Sequence, residues 1–390
     1  MKLYNMLDVN LLHKYWVERI VSKQTHPEHK NLEIYNYTHR AQHENIWDNI
    51  TEQCRGLIVD SNTGDVLARP FRKFFNLNTS FKPETMEENL PYKKPDCILE
   101  KMDGSLGILY PYNNKQYIAT RGSFSSDQAR WANTWWDRLA FYNTGYPEFP
   151  NGYTPLFEII YKETRIVVDY QFEGLVLLGL VQIETGFELP FTEVCEVARR
   201  NGLQSPKSIE GSLEEITSRQ ESNTEGFVLQ FWCRKAPVPL RLKVKTEEYK
   251  RLHKIITGTN PKGIWEHLKE GGDPDALWAN TNSQFFHWCQ GWINTFQRMY
   301  KELEDETLKA FGRVCANVSE TLYNTHETLD APAIRGAHAV LIQQEQVHYQ
   351  PILFAMLSGK GYKKQIWKSL EPKIQGKDVF LRNGDEFNGI

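Results

Sequence analysis

Leu99-Glu100-Lys101-Met102-Asp103-Gly104-Ser105-Leu106-Gly107 is the stretch on which the reading of this chain turns. Cys97-Ile98-Leu99 leads into it as a strand, and Leu106-Gly107-Ile108-Leu109-Tyr110 leaves it as a second, so the residues between read as a hairpin turn. Asp-Gly is a favoured turn pair. A lysine held at a strand end beside a tight glycine turn is placed to act as a nucleophile. Its amine must be neutral to attack, which calls for a lowered pKa. Neighbouring cations and partial desolvation both lower a lysine pKa, and Arg55, Lys73, Lys243 and Lys245 are the candidate neighbours. Taken alone, Lys101-Met102-Asp103-Gly104 is better explained as an ordinary hairpin turn, so the rest of the chain has to decide.

Upstream, the spacing predicts an amphipathic helix over 9–21, a strand over 32–37, and a hairpin with strands over 55–60 and 66–69 around Ser61-Asn62-Thr63-Gly64-Asp65. Pro70-Phe71-Arg72-Lys73-Phe74-Phe75-Asn76-Leu77 interleaves cations with aromatics, as a strand with rings inward or as a phosphate-facing wall beside a ring that packs on a base or ribose. Downstream, a strand over 116–120 ends in Arg121-Gly122-Ser123, a basic loop suited to holding an anion through backbone N–H groups. A helix over 125–142 follows, with Trp131, Trp135 and Leu139 on its apolar face. Strands are expected over 154–161, 166–168 and 174–181, and helices over 191–201 and 212–220. Glu158 lies inside an apolar strand, where a charge is costly unless it is paired or coordinates something. Glu225-Gly226 opens another apolar strand, and Leu240-Arg241-Leu242-Lys243-Val244-Lys245 places three cations on one strand face. Such cations repel one another unless solvent or an anion answers them.

Past about residue 246 the alternation stops and helical windows take over, at 247–256, 261–270, 283–310, 314–327, 331–346, 351–357 and 366–370. The expected architecture is therefore α+β: a strand-rich domain over 1–248 followed by an all-helical domain over 249–390. The tail Arg382-Asn383-Gly384-Asp385-Glu386 reads as polar and mobile. With 390 residues, 40% of them hydrophobic, the chain can bury two sizeable cores. A formal net charge of −3 excludes a uniformly basic nucleic-acid carpet but leaves room for local basic grooves. The six cysteines, Cys54, Cys97, Cys195, Cys233, Cys289 and Cys315, form no Cys-x-x-Cys pair, so zinc and redox motifs are unsupported and a reducing cytoplasm suits the pattern. Neither a signal peptide nor an apolar run of membrane-spanning length is read in the chain.

Taken in order, Arg55-Gly56, Lys73-Phe74-Phe75, Lys101-Met102-Asp103-Gly104-Ser105, Arg121-Gly122-Ser123, Phe157-Glu158, Glu225-Gly226-Phe227-Val228 and Lys243-Val244-Lys245 resemble the motifs of covalent nucleotidyltransferases. Within that superfamily, with its ATP-grasp-like antiparallel sheets, they look most like the ATP-dependent RNA ligases of the phage RNA ligase 1 family. The resemblance covers about residues 30–250. It implies a three-step reaction: attack of Lys101 on the α-phosphate of ATP, transfer of AMP from the lysine to an RNA 5′-phosphate, and sealing by a 3′-hydroxyl. Lys101 would be the nucleophile. Lys243 and Lys245 would neutralise the α-phosphate and help depress the Lys101 pKa. Arg55 and Lys73 would grip the outgoing phosphates, Arg121 stands where the family often has lysine, and Phe75 matches a family aromatic. Glu158 and Glu225 would bind ribose hydroxyls or Mg²⁺, and Asp103 would orient Lys101 or the metal's water shell. The implied partners are RNA ends, nicked tRNA among them, met by a monomer in the cytoplasm of a phage-infected or other host cell.

Two departures separate the chain from DNA ligases and RNA-capping guanylyltransferases. Leu106 stands where those enzymes usually have an arginine, and the residues after Lys245 read helical where they usually carry a β-barrel. A silent RNA-binding relative would have no need of Lys101, Glu225 and the Lys243/Lys245 pair.

Overall fold

The computed structural model describes residues 9–164, 167–219, 221–232, 238–273, 278, 281, 283–325 and 330–373. Cys233, Ile166 and the tail at 382–386 lie outside them. The chain forms two compact units that divide between His253 and Lys254.

In the first unit, α1 (Val9–Val17) precedes β1 (Val21–Thr25), β2 (Leu32–Tyr37), α2 (His39–His43), β3 (Arg55–Asp60), β4 (Asp65–Ala68) and β5 (Phe75–Asn76). Then come β6 (Cys97–Glu100), β7 (Ser105–Tyr112), β8 (Lys115–Thr120), α3 (Asp127–Tyr142), β9 (Tyr153–Ile160), β10 (Gly174–Gln182), α4 (Phe191–Arg200), α5 (Leu213–Ser218), β11 (Gly226–Phe231), β12 (Leu240–Lys245) and the start of α6 (Glu247–Gly258). The strands make three four-stranded sheets, ordered β1-β2-β3-β4, β10-β9-β7-β8 and β5-β12-β11-β6. All neighbours pair antiparallel except β12 and β5.

The pattern of apolar residues explains the stacking. Ile34 and Ile58 of the first sheet meet Leu106, Ile108, Tyr110 and Leu156 of the second in one buried layer. The opposite face of the second sheet, with Leu109, Ile118, Phe157 and Ile159, buries against Trp136 of α3 and Val194 and Ala198 of α4. Strands covered on both faces read as nearly continuous apolar runs, as β7 does. In the third sheet Phe227, Leu229, Phe231 and Leu242 pack on Leu213 and Ile216 of α5, which leaves Arg241, Lys243 and Lys245 for the other face.

Several expectations change. The lysine stretch is not a hairpin: β6 pairs with β11 in the third sheet, whereas β7 pairs with β8 and β9 in the second. Residues 101–104 therefore cross from one sheet to another. A Cβ on Gly104 would stand 2.5 Å from the Ile159 carbonyl oxygen, so the crossing needs glycine there. The expected first helix stops at Val17, and Val21–Thr25 is an edge strand. The cation–aromatic stretch contributes only Phe75–Asn76 as strand. Val167 and Val168 are not in a strand, because their N–H groups serve Asp103 instead of a ladder. On α3 the fully buried residues are Ala129, Ala132 and Trp136, with Trp131, Trp135 and Leu139 only partly covered.

Arg241 is answered by neither solvent nor a bound anion. Its guanidinium makes a two-pronged ion pair with Glu188, Nη1 to Oε1 at 3.0 Å and Nη2 to Oε2, and stacks 4.2 Å from the Phe71 ring centroid. Both side chains are buried, and Glu188 bridges back to Val181 of β10, so the pair ties the third sheet to the second. Removing one partner strands a buried charge. Arg241→Ala is expected to cost about 3–5 kcal/mol in urea unfolding; a loss below about 1 kcal/mol, the scale of a surface pair, would mean that the pair does not hold the sheets.

The second unit holds α7 (Pro261–Lys269), α8 (Ser283–Thr325), α9 (Ala331–Gln344), α10 (Gln350–Leu357) and α11 (Tyr362–Ser369). The two helices expected over 283–310 and 314–327 are one helix of 43 residues. Gly312 inside it costs only about 1 kcal/mol, and Ala310 and Val314 on either side are buried with Ile342 and Leu353. Antiparallel sheets followed by a helical region make the chain α+β, as the sequence pattern implies.

Candidate active site

Lys101 is the first residue past β6. Its N–H donates to the Gly226 carbonyl at 2.8 Å, which extends the β6–β11 ladder by one bond. Its Nζ lies 2.5 Å from Glu225 Oε2, and the other Glu225 oxygen lies 3.3 Å from Lys245 Nζ. Glu225, only 3% exposed, thus joins the last residue of β12 to the crossing between sheets. Gly226 lets it do so. Its φ is +148°, and a Cβ there would overlap the Val244 carbonyl oxygen.

The proton affinity of Lys101 runs against the sequence expectation. Burial pulls its pKa down, but the carboxylates of Glu225 and Glu158, the hydrogen bond to Glu225 and the field of Asp103 more than offset this, and the net shift is upward. The carboxylates outweigh the cations because one of them touches the ammonium. The strongly lowered lysine is Lys243, which is depressed well below its ordinary value by burial and then by Lys73, Lys101, Arg55 and Lys245. Glu158, on β9 opposite Val176 and Leu106, is pushed up to about 8 by burial, against the pull of Lys101 and with the push of Glu225.

Asp103 is held by its own set of donors. One oxygen accepts the Val167 and Val168 N–H groups at 3.0 and 3.1 Å, and the other accepts the Tyr249 hydroxyl at 3.0 Å. Its N–H donates to the Tyr170 hydroxyl at 2.7 Å. Burial and Glu225 raise its pKa to about 6. These contacts fix the crossing loop, and Asp103 reaches Lys101 through its field.

A second group of cations adjoins the first. The Tyr37 hydroxyl, at the end of β2, accepts from Arg121 Nη1 at 3.0 Å and from Lys73 Nζ at 3.5 Å. Both cations lie 5.2 Å from the Tyr37 ring centroid. Burial favours the neutral phenol, but Arg121, Lys73 and Arg55 prevail and lower its pKa. Lys73 is itself lowered by burial and by Arg55 and Arg121. Phe74 and Phe75 divide the work: Phe74 lies under Lys243 and Arg55, at 4.8 and 5.8 Å, whereas Phe75 lies under Lys73 and Lys82, at 5.4 and 5.1 Å, with its edge on Trp47.

All ten candidate residues, Arg55, Lys73, Phe75, Lys101, Asp103, Arg121, Glu158, Glu225, Lys243 and Lys245, thus belong to one connected network of contacts and fields. Arg241 points its charge into the Glu188 pair instead. Sequence reasoning missed Tyr37, Tyr170 and Tyr249. Tyr37 closes an alternating strand and Tyr249 opens a helix, so each looks like an ordinary packing residue until its hydroxyl is placed.

The model of a protein family described as RNA ligase matches residues 53–249, which span all ten candidate residues together with Tyr170 and Tyr249 and leave out Tyr37. The chain belongs to the RNA ligase family. It is 30% identical over 285 residues to a putative RNA ligase of Thermovibrio ammonificans, covering 67% of this chain and 73% of that one. It is 24% identical over 328 residues to an RNA ligase of Rhodothermus phage RM378, covering 68% and 73%. Among solved structures, an archaeal ATP-dependent RNA ligase aligns with a TM-score of 0.42 at 14% identity, covering 67% of this chain and 65% of that one.

Among the described residues of this RNA ligase family member, no group of three or more His, Cys, Asp or Glu side chains is arranged to hold a metal, and no helix is long and apolar enough to cross a membrane. The described cysteines, Cys54, Cys97, Cys195, Cys289 and Cys315, are free thiols.

The raised Glu158 pKa has a consequence for stability. The folded protein holds this proton up to about pH 8, whereas an unfolded glutamate loses it near 4.5. Folding therefore binds a proton across that window, and stability falls as pH rises through it, by roughly 1.4 kcal/mol per pH unit. Glu158→Gln is expected to flatten the dependence of the melting temperature between pH 5 and 8, measured without nucleotide or metal. An unchanged slope would place the titration elsewhere.

Proposed function

We propose that this chain joins RNA 5′-phosphate and 3′-hydroxyl ends at the expense of ATP, through lysyl–AMP on Lys101 and then AMP-capped RNA. The observation that carries the reading is Lys101 Nζ, seated on Glu225 at 2.5 Å between two sheets, beside the cations Lys243, Lys245, Lys73 and Arg55. In the first step the Lys101–phosphorus bond forms as the bond to pyrophosphate breaks. The ammonium must first lose a proton, and Glu225 Oε2 is the base in contact with it. Lys243 and Lys245 neutralise the α-phosphate, and an arriving anion favours the charged form that burial denies to Lys243. Arg55, Lys73 and Arg121, the last two held by Tyr37, grip the departing phosphates. The reaction is an in-line displacement driven by positioning and charge neutralisation.

Glu158 and Glu225 are the residues that would hold Mg²⁺. Glu225 is buried and Glu158 half-buried, and the pair suits a hard cation that takes few protein ligands, keeps its waters and would displace the proton that Glu158 otherwise holds. Such an ion would supply further charge neutralisation at the phosphates. Residues 1–248 would carry adenylyl transfer and residues 249–390 the choice of RNA, with tRNA broken in its anticodon loop as the proposed physiological substrate for a monomer in the cytoplasm.

The test is incubation with ATP labelled at the α-phosphate, Mg²⁺ and no RNA, followed by a denaturing gel, with GTP in parallel. A covalent band from ATP supports the reading. A band from GTP alone would turn it into capping chemistry. No band with either, from protein whose intact mass shows no AMP already attached, would leave a silent RNA-binding relative.

A further inference from the structure

The turn and helix that close the second unit carry a charge pattern that the catalytic reading does not use. Residues 359–373 hold five lysines, Lys360, Lys363, Lys364, Lys368 and Lys373, and one acid, Glu371, in a chain whose net charge is −3. Glu371 is engaged at 2.9 Å by Lys262. Among the described residues no ion pair answers Lys360, Lys363, Lys364 or Lys368, and all four are exposed.

The fold places them together. α10 ends at Leu357, Gly359 with its φ of +65° reverses the chain two residues on, and α11 starts after Gly361. One side of α11 is pinned. Ile366 is fully buried, the Tyr362 hydroxyl donates to Glu304 at 3.1 Å, and the Trp367 ring packs 5.0 Å from that of Tyr300 while its carbonyl accepts the Trp265 indole N–H at 2.8 Å. With that side fixed against α7 and α8, the helical period puts Lys364 and Lys368 one turn apart on the outer side, with Lys363 exposed one turn before Trp367 and Lys360 in the turn. Four exposed ammonium groups within one short hairpin, with no ion pair among the described residues and only the field of Glu371 reaching Lys368, repel one another, and a polyanion relieves that repulsion best.

We propose that the α10–α11 hairpin binds the phosphate backbone of the RNA substrate through Lys360, Lys363, Lys364 and Lys368. The inference rests on the RNA ligase reading and names the surface that holds the RNA outside the adenylylation site. Lysines suit this task because they meet phosphates as point charges and release counterions on binding, with no demand on sequence.

The test uses the full chain and a labelled RNA stem-loop with a nick in its loop, bearing 5′-phosphate and 3′-hydroxyl ends. Affinity is measured from 50 to 200 mM salt for the wild type and for the combined variant Lys360→Ala, Lys363→Ala, Lys364→Ala, Lys368→Ala. Binding is expected to weaken on the order of tenfold at 0.1 M salt, and the log–log salt slope to fall by roughly 3. Protein–AMP formation from ATP alone should be unchanged, which also shows that the variant is folded. A charge-matched control, Lys14→Ala, Lys30→Ala, Lys301→Ala, Lys309→Ala, should bind nearly as the wild type does. Unchanged affinity and slope in the hairpin variant, or an equal loss in the control, would overturn the proposal. So would a variant that loses binding to anionic phospholipid vesicles while keeping RNA. Wild-type protein that forms no AMP adduct would instead bring down the ligase reading.

Discussion

Lys101→Ala is expected to form no protein–AMP adduct from α-labelled ATP under conditions in which the wild type labels to near completion. No other group can take its place at the α-phosphate with the same contacts. Lys245 shares Glu225 with it but sits on β12, and Lys243 is occupied with the cation cluster around Phe74. The variant should still join RNA supplied with AMP already on its 5′ end, because that step breaks a bond on the RNA and requires only the phosphate-holding cations and the 3′-hydroxyl. Such a split, total loss in one assay and retained sealing in the other, distinguishes a missing nucleophile from a misfolded site. The fold should tolerate the change, because the buried Glu225 keeps Lys245 as a charged partner at 3.3 Å. Labelling that persists in Lys101→Ala would refute the assignment outright.

Gly226→Ala carries the second large effect, through geometry alone. Gly226 pairs with Lys245 across the β11–β12 ladder and accepts the Lys101 N–H, so it stands between the two lysines that share Glu225. A methyl group there meets the backbone of Val244 and Lys245, not a side chain that could swing aside, and the backbone angle of +148° is one that an alanine rarely adopts. The strands must part, and Glu225 moves with them. A displacement near 1 Å at reacting groups costs on the order of a hundredfold in rate, so adenylylation should fall by at least that factor while ATP binding, proposed to rest on the cations around Tyr37, falls less. An adduct formed at the wild-type rate would mean that the Glu225 placement is not needed for attack.

Much of the chemistry was legible because it depends on residue type and order. Alternation marked β2 and β12, a turn signal marked β3, apolar runs marked β9 and β11, and the acid inside the β9 run at Glu158 announced a group with a special environment. The switch to a helical period after residue 246 announced a second unit. Where local rules met weak signals they failed. Val21–Thr25 is too polar an edge strand to stand out, and the windows over 283–310 and 314–327 read as two helices where burial of Ala310 and Val314 keeps one helix through Thr325.

By itself the sequence determined the covalent and chemical inventory: a lysine two residues before Asp-Gly, one glutamate inside a strand and another just before one, and a strand face of cations. These are local properties, written in the identity and spacing of neighbouring residues. Only the tertiary structure decided what those groups do to one another. It turned an apparent hairpin into a crossing between two sheets, because β6 and β7 find better partners in β11 and β9 than in each other. It took Arg241 out of the anion-binding face by bringing up Glu188, 53 residues away in the chain. It also reversed the expected shift of Lys101, raising its proton affinity where the nearby cations alone would have lowered it. The reason is the distance dependence of the Coulomb interaction. A carboxylate in contact outweighs several more distant cations, and which charge arrives in contact is settled by packing between segments far apart in the chain.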